Sequence, residues 1–240
     1  MSIRQRSGFF GTLLNEVKEG HFANAPFNRK YVWEREDVLA FFDSLRRRYP
    51  IGTFIIWTPP KDEREALNEG AVRVGPILPT PSLSPSFILD GHNRLATLAW
   101  AGMSPEEMEA IQKEVDCDTQ ELETWCADGL LLVLNAETMK IDFMTPGHAE
   151  LDNHIAAHYF IGSDYRRHVI SRAENAFSNE ALDNLDLLYR NILETRIVIT
   201  DVNEPGIEAF SAFQHLNRIG KAVSETDLEK ARKWFDGIRA

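Results

Sequence analysis

The alternation of hydrophobic and polar positions divides this chain into short strands and amphipathic helices. Apolar residues recur every three to four positions over residues 8–20, 34–48 and 179–194, which is the spacing of one buried helix face. Runs rich in β-branched and aromatic residues at 53–57 and 196–200 have the length of single buried strands. These patterns predict a mixed α+β fold.

Further patterns indicate a hairpin and an additional helix in the middle of the chain. Residues 130–135 predict a strand, and residues 138–143 predict a second strand that pairs with it. Residues 149–161 predict a helix, and the proline-rich stretch at 58–86 predicts an irregular loop.

The order of these elements predicts how the chain is organised. We expect an α/β core over residues 1–145, a helical lobe over 146–195, and a strand and helices over 196–240 that complete the core. A compact core with one inserted or appended helical lobe is the simplest architecture that accommodates this order.

The segment over residues 87–99 carries the clearest sign of chemistry. An apolar run leads to Asp90 and Gly91, and a helical pattern follows. Gly91 permits a sharp turn and the close approach of a ligand, and the N–H groups of a helix start favour an anion. The guanidinium of Arg94, one turn into the helix, can bind a phosphate or carboxylate through two hydrogen bonds. An alternative stays open, in which Asp90 caps the helix and Arg94 pairs with a surface acid.

Charge and cysteine content narrow the class of protein. The net charge of −11 argues against a protein that coats nucleic acid through bulk charge, although basic clusters at 29–30, 46–48 and 166–168 could line a local groove. The two cysteines are too few for a disulfide framework, and no apolar stretch reaches the length of a membrane span. We therefore expect a cytoplasmic protein that does not cross a membrane.

Three separated segments together resemble one family. They are residues 26–33 followed by 49–57, the sequence Asp-Gly-His-Asn-Arg at 90–94 with Thr97, and residues 213–228. Their order and spacing are similar to those of the N-terminal domain of GmrSD-type restriction proteins, within the ParB/sulfiredoxin-like superfamily. The resemblance implies a ParB-like mixed core that binds a nucleoside triphosphate, often hydrolyses it, and controls a DNA-cleaving nuclease.

The resemblance and the chemistry of the residues together define a candidate site. The catalytic candidates are Asp90, His92 and Arg94, and Asp90 is also a candidate Mg²⁺ ligand because one carboxylate with substrate phosphates often holds this metal. A basic side chain beside aromatic rings can hold phosphate while a ring stacks on a base, and a glycine turn flanked by donors suits an anion. The candidate nucleotide-binding residues are Arg29, Tyr31, Trp33, Thr53, Gly91, Asn93, Thr97, Asn217 and Lys221.

This sequence departs from the family pattern at the second motif. The family usually has Asp-Gly-Gln-Gln-Arg, whereas His92 and Asn93 replace the two glutamines here. Sulfiredoxin chemistry needs a cysteine beside the arginine, so we do not expect that activity. The P-loop pattern Gly-x-x-x-x-Gly-Lys-Ser/Thr is also absent, so the phosphates would need a different cradle.

Two other functions remain open at this point. The chain could be a non-catalytic module that binds DNA or senses modified bases, or a nuclease that acts from the ParB-like core itself. We expect DNA cleavage to require a nuclease in a partner chain or domain. The chain could also form a homo-oligomer.

Overall fold

The computed structural model describes most of the chain. The described residues are 3–25, 28, 30–61, 63, 67, 72–79, 85–114, 119–149, 153–161, 177–203, 205–206, 209–211, 226, 229–230 and 232–234. Within them the strands are β1 (Ile3–Phe9), β2 (Phe22–Asn24), β3 (Thr53–Trp57), β4 (Ser86–Asp90), β5 (Leu131–Asn135), β6 (Ile141–Met144), β7 (His154–Ala156) and β8 (Arg196–Val202). The helices are α1 (Phe10–Lys18), α2 (Arg35–Arg46), α3 (His92–Ala101), α4 (Pro105–Glu114), α5 (Thr119–Trp125), α6 (Pro146–Ala149), α7 (Ala157–Ile161) and α8 (Asn179–Glu194).

The main sheet combines parallel and antiparallel pairs in the order β1-β8-β3-β4-β2. β8 is antiparallel to β1 and parallel to β3, while β4 is antiparallel to β3 and parallel to β2. The C-terminal ends of β1 and β4, which lead into α1 and α3, therefore lie on the same side of the sheet. This mixed sheet with helices confirms the predicted α+β class, and the ParB-like relationship stays a prediction.

Both faces of the sheet are covered by apolar side chains. On one face, Phe54, Ile88 and Ile199 belong to a large core cluster that also contains the buried faces of α1, α2, α3 and α8. On the other face, Trp57 and Phe87 pack with Trp234, whose ring lies 5.6 Å and 5.4 Å from theirs. Residues near the end of the chain therefore help to cover the sheet.

Several predicted elements are confirmed with small changes of boundary. The helices predicted over 34–48 and 179–194 are α2 and α8, and the strand predicted at 53–57 is β3. The predicted hairpin is also confirmed, since β5 pairs with β6 in antiparallel fashion.

The prediction of a helix over residues 149–161 was wrong in its middle. Residues 154–156 form the strand β7, which pairs with β5 and makes the second sheet, ordered β6-β5-β7. Ile155 is fully buried in the main core cluster. Pairing with a neighbouring strand therefore overrides the local helical pattern, because a buried backbone must have its hydrogen bonds satisfied.

The predicted start of the first helix, at residue 8, was also wrong. Residues 3–9 form β1, and α1 begins only at Phe10. The β1 sequence is Ile-Arg-Gln-Arg-Ser-Gly-Phe and contains no continuous apolar run. β8, almost two hundred residues away in sequence, supplies the pairing that makes this segment a strand.

The proposed division into a core, a lobe and a completing segment stays a prediction. α8, which falls within the predicted lobe, packs against α1 and α2 through side chains that include Leu185, Leu188 and Ile192. None of the described helices is long and apolar enough to cross a membrane.

Candidate functional site

The candidate site is built on the corner between β4 and α3. Gly91 adopts a left-handed conformation (φ +101°) and is the N-cap residue of α3. A Cβ atom at this position would overlap the ring of Phe54 on the adjacent strand β3. Only glycine therefore combines this backbone conformation with such close packing. The predicted strand, turn and helix start are confirmed at this corner.

Arg94 fastens the corner to the beginning of β3. Its Nη1 donates to the carbonyl oxygen of Ile51 at 2.6 Å, and its Nη2 donates to the carbonyl oxygen of Thr53 at 2.7 Å. The guanidinium also lies over the ring of Phe54, with 4.4 Å between its Cζ atom and the ring centroid. Burial lowers the pKa of Arg94, and the neighbouring carboxylate of Asp90 opposes that shift.

Asp90 is the acidic partner of Arg94 and stays open to solvent. Its Oδ2 accepts a hydrogen bond from Arg94 Nη2 at 3.2 Å, four residues along the chain. The Asp90 side chain is 49% exposed, whereas that of Arg94 is only 15% exposed. The structure therefore offers solvent a carboxylate at the corner and keeps most of the guanidinium beneath the surface.

The segment over residues 30–33 lies along the first turns of α3. The backbone N–H of Val32 donates to Asn93 Oδ1 at 3.3 Å, and the hydroxyls of Tyr31 and Thr97 lie 2.8 Å apart. Trp125 Nε1 donates to the Tyr31 hydroxyl at 3.2 Å. Burial raises the pKa of Tyr31. Tyr31 and Thr97 therefore support α3 from inside the protein.

The remaining described candidates differ in exposure. Thr53 is exposed at the first position of β3, beside the corner. Trp33 is half-buried and packs against Phe41, with 5.3 Å between the ring centroids. His92 is buried, with only 8% of its surface exposed.

The structure brings most of the described candidates to one region. Asp90, Gly91, His92, Asn93 and Arg94 are consecutive, Thr53 meets Arg94, and Tyr31 meets Thr97. Trp33 lies nearby in sequence, but its ring packs against Phe41 of α2, and its backbone carbonyl oxygen accepts a hydrogen bond from the Thr124 hydroxyl of α5. Arg29, Asn217 and Lys221 lie outside the described residues.

Two contributors to the corner were missed by the sequence analysis. Phe54 forms the surface against which Gly91 and Arg94 pack. Asn28 Nδ2 donates to Asn24 Oδ1 and to the carbonyl oxygen of Ile88, both at 2.7 Å, and so joins the chain after β2 to β4. Asn28 lies in the first motif and could have been selected there, whereas no local pattern indicates which ring Gly91 will meet.

The described residues contain no cluster of three or more His, Cys, Asp or Glu side chains arranged for a metal ion. A dedicated cage of protein ligands is therefore absent from this part of the chain. A Mg²⁺ ion held by one carboxylate, phosphate oxygens and water needs no such cage.

Comparison with known families agrees with the family resemblance of the sequence. The sequence matches the family described as GmrSD restriction endonuclease, N-terminal domain, over residues 10–233. Since the match covers nearly the whole chain, the chain belongs to this family. Membership indicates a role in a restriction or phage-defence system. No curated protein matches the chain.

Proposed function

We propose that this chain is a regulatory domain that binds a nucleoside triphosphate with Mg²⁺ and controls a DNA-cleaving partner chain or domain of a restriction system in the cytoplasm. The single observation that carries the proposal is the corner itself. At the C-terminal end of β4, the exposed carboxylate of Asp90 is followed by the left-handed Gly91 and then by the start of a ten-residue helix.

The phosphates would bind at the N-terminus of α3. No side chain caps this helix start, because Gly91 is the N-cap residue and carries none. The first N–H groups of a helix lack partners within the helix, and the helix dipole adds a partial positive charge there. Glycine-rich turns before a helix use this arrangement to hold phosphate. Asn93 would add a side-chain amide beside those N–H groups.

Asp90 fits the way in which Mg²⁺ is usually held beside phosphates. Mg²⁺ commonly takes one or two carboxylates together with phosphate oxygens and water. Among the described contacts, Arg94 engages only the Oδ2 atom of Asp90. The half-exposed carboxylate could therefore offer Oδ1 to the ion, and the ion would neutralise charge on the phosphates.

Arg94 supports this proposal in a different way from the one its sequence suggested. Its guanidinium is already bound to Ile51, Thr53 and Asp90. We propose that Arg94 holds Asp90 and the start of β3 in place. Only the guanidinium N–H groups outside these three hydrogen bonds would contact phosphate directly. Tyr31 and Thr97 would likewise position α3 from below. The side chain of His92 would need to become more exposed before it could accept a proton from a bound water.

Binding of a nucleotide can be tested by the melting temperature of the purified chain. We expect one of ATP, GTP, CTP and UTP to stabilise the chain with Mg²⁺ present, and to do so less without it. A ligand at about one hundred times its Kd adds about 2.7 kcal/mol to the free energy of unfolding. If no nucleotide changes the melting temperature at millimolar concentration, the proposal is wrong.

The decisive variant is Asp90→Asn, which keeps the size of the side chain and removes its charge. We expect it to fold and to lose the part of the stabilisation that depends on Mg²⁺. Asp142→Asn is a matched control, because Asp142 also pairs with a basic side chain (Lys140) but lies on β6 in the other sheet. If nucleotide and Mg²⁺ stabilise Asp90→Asn and the wild type equally, Asp90 is not a ligand of the metal ion. Release of inorganic phosphate would then show whether bound nucleotide is hydrolysed.

A second candidate function is binding of DNA without nucleotide chemistry. Arg47, Arg48 and Tyr49 are all exposed and immediately precede the segment that Arg94 holds. Arginine beside an aromatic ring suits a nucleic-acid backbone and base. This alternative predicts DNA binding that weakens with salt and is unaffected by Asp90→Asn. Metal-dependent nicking of DNA by the purified chain would instead support a nuclease within the core.

A further inference from the structure

The strand β1 forms an open edge of the main sheet. It lies at the end of the strand order, and within the described residues only β8 pairs with it. Six of its seven residues are exposed, and Gly8 is half-buried. Proteins usually protect such an edge with charged side chains, proline, a bulge or a very short strand. β1 is seven residues long and contains no proline, and its register with β8 runs without a bulge. Its charged side chains are Arg4 and Arg6, and Arg6 is paired with Asp201 of the neighbouring strand β8.

The hydrogen bonds around β8 reveal which backbone groups of β1 point outward. The N–H of Phe10 donates to the carbonyl oxygen of Thr195 at 2.9 Å, in continuation of the β1–β8 register. Hydrogen-bonded and non-bonded pairs alternate along an antiparallel ladder. Gly8, Arg6 and Arg4 therefore direct their backbone groups to β8.

The alternate residues of β1 then direct their N–H and C=O groups to the open edge. These residues are Ile3, Gln5, Ser7 and Phe9. The other side of β8 agrees with this assignment, since the carbonyl oxygen of Val202 accepts from Thr58 N at 2.9 Å, towards β3. Val202 pairs with Ile3, so the backbone N–H and C=O groups of both residues point away from the strand with which each is paired.

We propose that this edge pairs with the β1 strand of a second copy of the chain, antiparallel and centred on Arg6, and that the chain is thereby a two-fold symmetric dimer. Only this register matches all four outward-facing residues with one another. It places Ile3 opposite Phe9 of the other copy and Gln5 opposite Ser7, which gives about eight backbone hydrogen bonds. A shift by two residues in either direction leaves some of these groups unpaired.

The side chains of β1 are compatible with this pairing. Ile3 is 40% exposed and Phe9 is 48% exposed, and the proposed register brings each of them against the other at both ends of the interface. Val198 lies beside Ser7 in the ladder and adds a further exposed apolar side chain. Cross-strand pairs of aromatic and β-branched residues stabilise antiparallel strands.

The charge at the centre of the interface is already balanced. Arg6 Nε donates to Asp201 Oδ2 of the same chain at 2.7 Å, so two copies of Arg6 would meet as neutral pairs. Arg4 would lie opposite Gly8 of the other copy, where no side chain opposes it. Neither arginine therefore prevents the strands from meeting.

The proposed dimer would separate the two candidate nucleotide sites. β1 runs parallel to β4, so the C-terminal end of β1 lies on the same side of the sheet as Asp90. When two β1 strands pair in antiparallel fashion, the two five-stranded sheets become one continuous sheet. The two Asp90 residues then lie on opposite sides of that sheet, one beyond the upper and one beyond the lower strand ends.

The mass of the chain in solution tests the proposal. We expect light scattering to give a dimer for the wild type and a monomer for Ser7→Pro, because proline removes an outward N–H without removing a bond to β8. Ser7→Ala keeps that N–H and should remain a dimer. Circular dichroism should show the same fold for all three. A wild type that is monomeric at every concentration, or a Ser7→Pro variant that remains a dimer, overturns the proposal.

Disulfide cross-linking tests the register and also decides the matter if Ser7→Pro does not fold. In a background in which Cys117 and Cys126 are replaced by serine, Arg6→Cys should form a disulfide across the two-fold axis. Arg4→Cys is the control, since the two copies of residue 4 would lie about 13 Å apart along the strands. That separation exceeds the roughly 7 Å limit between the Cα atoms of a disulfide. Cross-linking of Arg6→Cys that is no stronger than that of Arg4→Cys contradicts the register.

Discussion

Arg94 donates a hydrogen bond of 2.6 Å to the carbonyl oxygen of Ile51, which lies 43 residues earlier in the chain. This bond joins the first turn of α3 to the backbone just before β3. The corner that carries Asp90 is therefore fixed by a contact between two segments, and its geometry depends on both.

Gly52 is expected to be intolerant of a side chain. It has a left-handed backbone (φ +86°), and a Cβ atom there would lie 2.6 Å from Arg94 Nη1. Gly52→Ala should lower the free energy of unfolding by about 1–3 kcal/mol, because it adds backbone strain and disturbs the arginine. Urea denaturation measures the change. Gly147→Ala is the control, since nothing lies within 4 Å of a Cβ atom at that position. Equal stability of the two variants would contradict this account.

Lysine is not expected to replace arginine at position 94. The planar guanidinium reaches two backbone carbonyls and a carboxylate at once, whereas a lysine ammonium cannot span the same acceptors. Arg94→Lys should lower the free energy of unfolding by about 2 kcal/mol, as measured by chemical denaturation. Arg47→Lys should leave it unchanged within the error of the measurement, because the pair that Arg47 makes with Asp43 is exposed. A loss of nucleotide binding in Arg94→Lys would count as a direct effect only if the corner remains folded.

The hydroxyl of Tyr31 is expected to stabilise the fold. Tyr31→Phe removes the partner of both Thr97 Oγ1 and Trp125 Nε1 inside the protein. Buried polar groups without partners cost about 1–3 kcal/mol, so the unfolding transition should move to lower denaturant by a corresponding amount. Tyr49→Phe, at a side chain that is 55% exposed, should have little effect. A neutral Tyr31→Phe variant would mean that another group or a water molecule satisfies these atoms.

His158 is expected to make the chain less stable in mild acid. Burial lowers the pKa of His158, while Glu106 and Glu107 oppose the shift. The pKa of His158 is lower in the folded state than in the unfolded chain. Its contribution to the free energy of unfolding is therefore fully present above about pH 6.5, where the imidazole is neutral in both states, and it declines as the pH falls. His158→Gln should therefore lose less stability than the wild type between about pH 7.5 and pH 5.5. Denaturation at both pH values measures this difference, and an identical loss in both proteins would contradict it.

The elements that the sequence predicted well are those in which local pattern and tertiary environment agree. α2 and α8 each bury one apolar stripe in the core, and the hairpin of β5 and β6 joins neighbours along the chain. β1 and β7 were missed because distant pairing with β8 and β5 makes them strands. Their own residues carry no strong periodicity, so propensity alone could not identify them.

The sequence by itself determined the order of most elements, the turn at Gly91, and the residues that assign the chain to its family, because these depend on local spacing and residue type. Only the tertiary structure decided that Arg94 binds the carbonyls of Ile51 and Thr53, and that Tyr31 is buried against Thr97. These outcomes depend on which distant backbone atoms come within hydrogen-bond reach once the core has packed. A guanidinium has the same chemistry in a pocket or beneath a strand, and the sequence does not encode which acceptors will surround it.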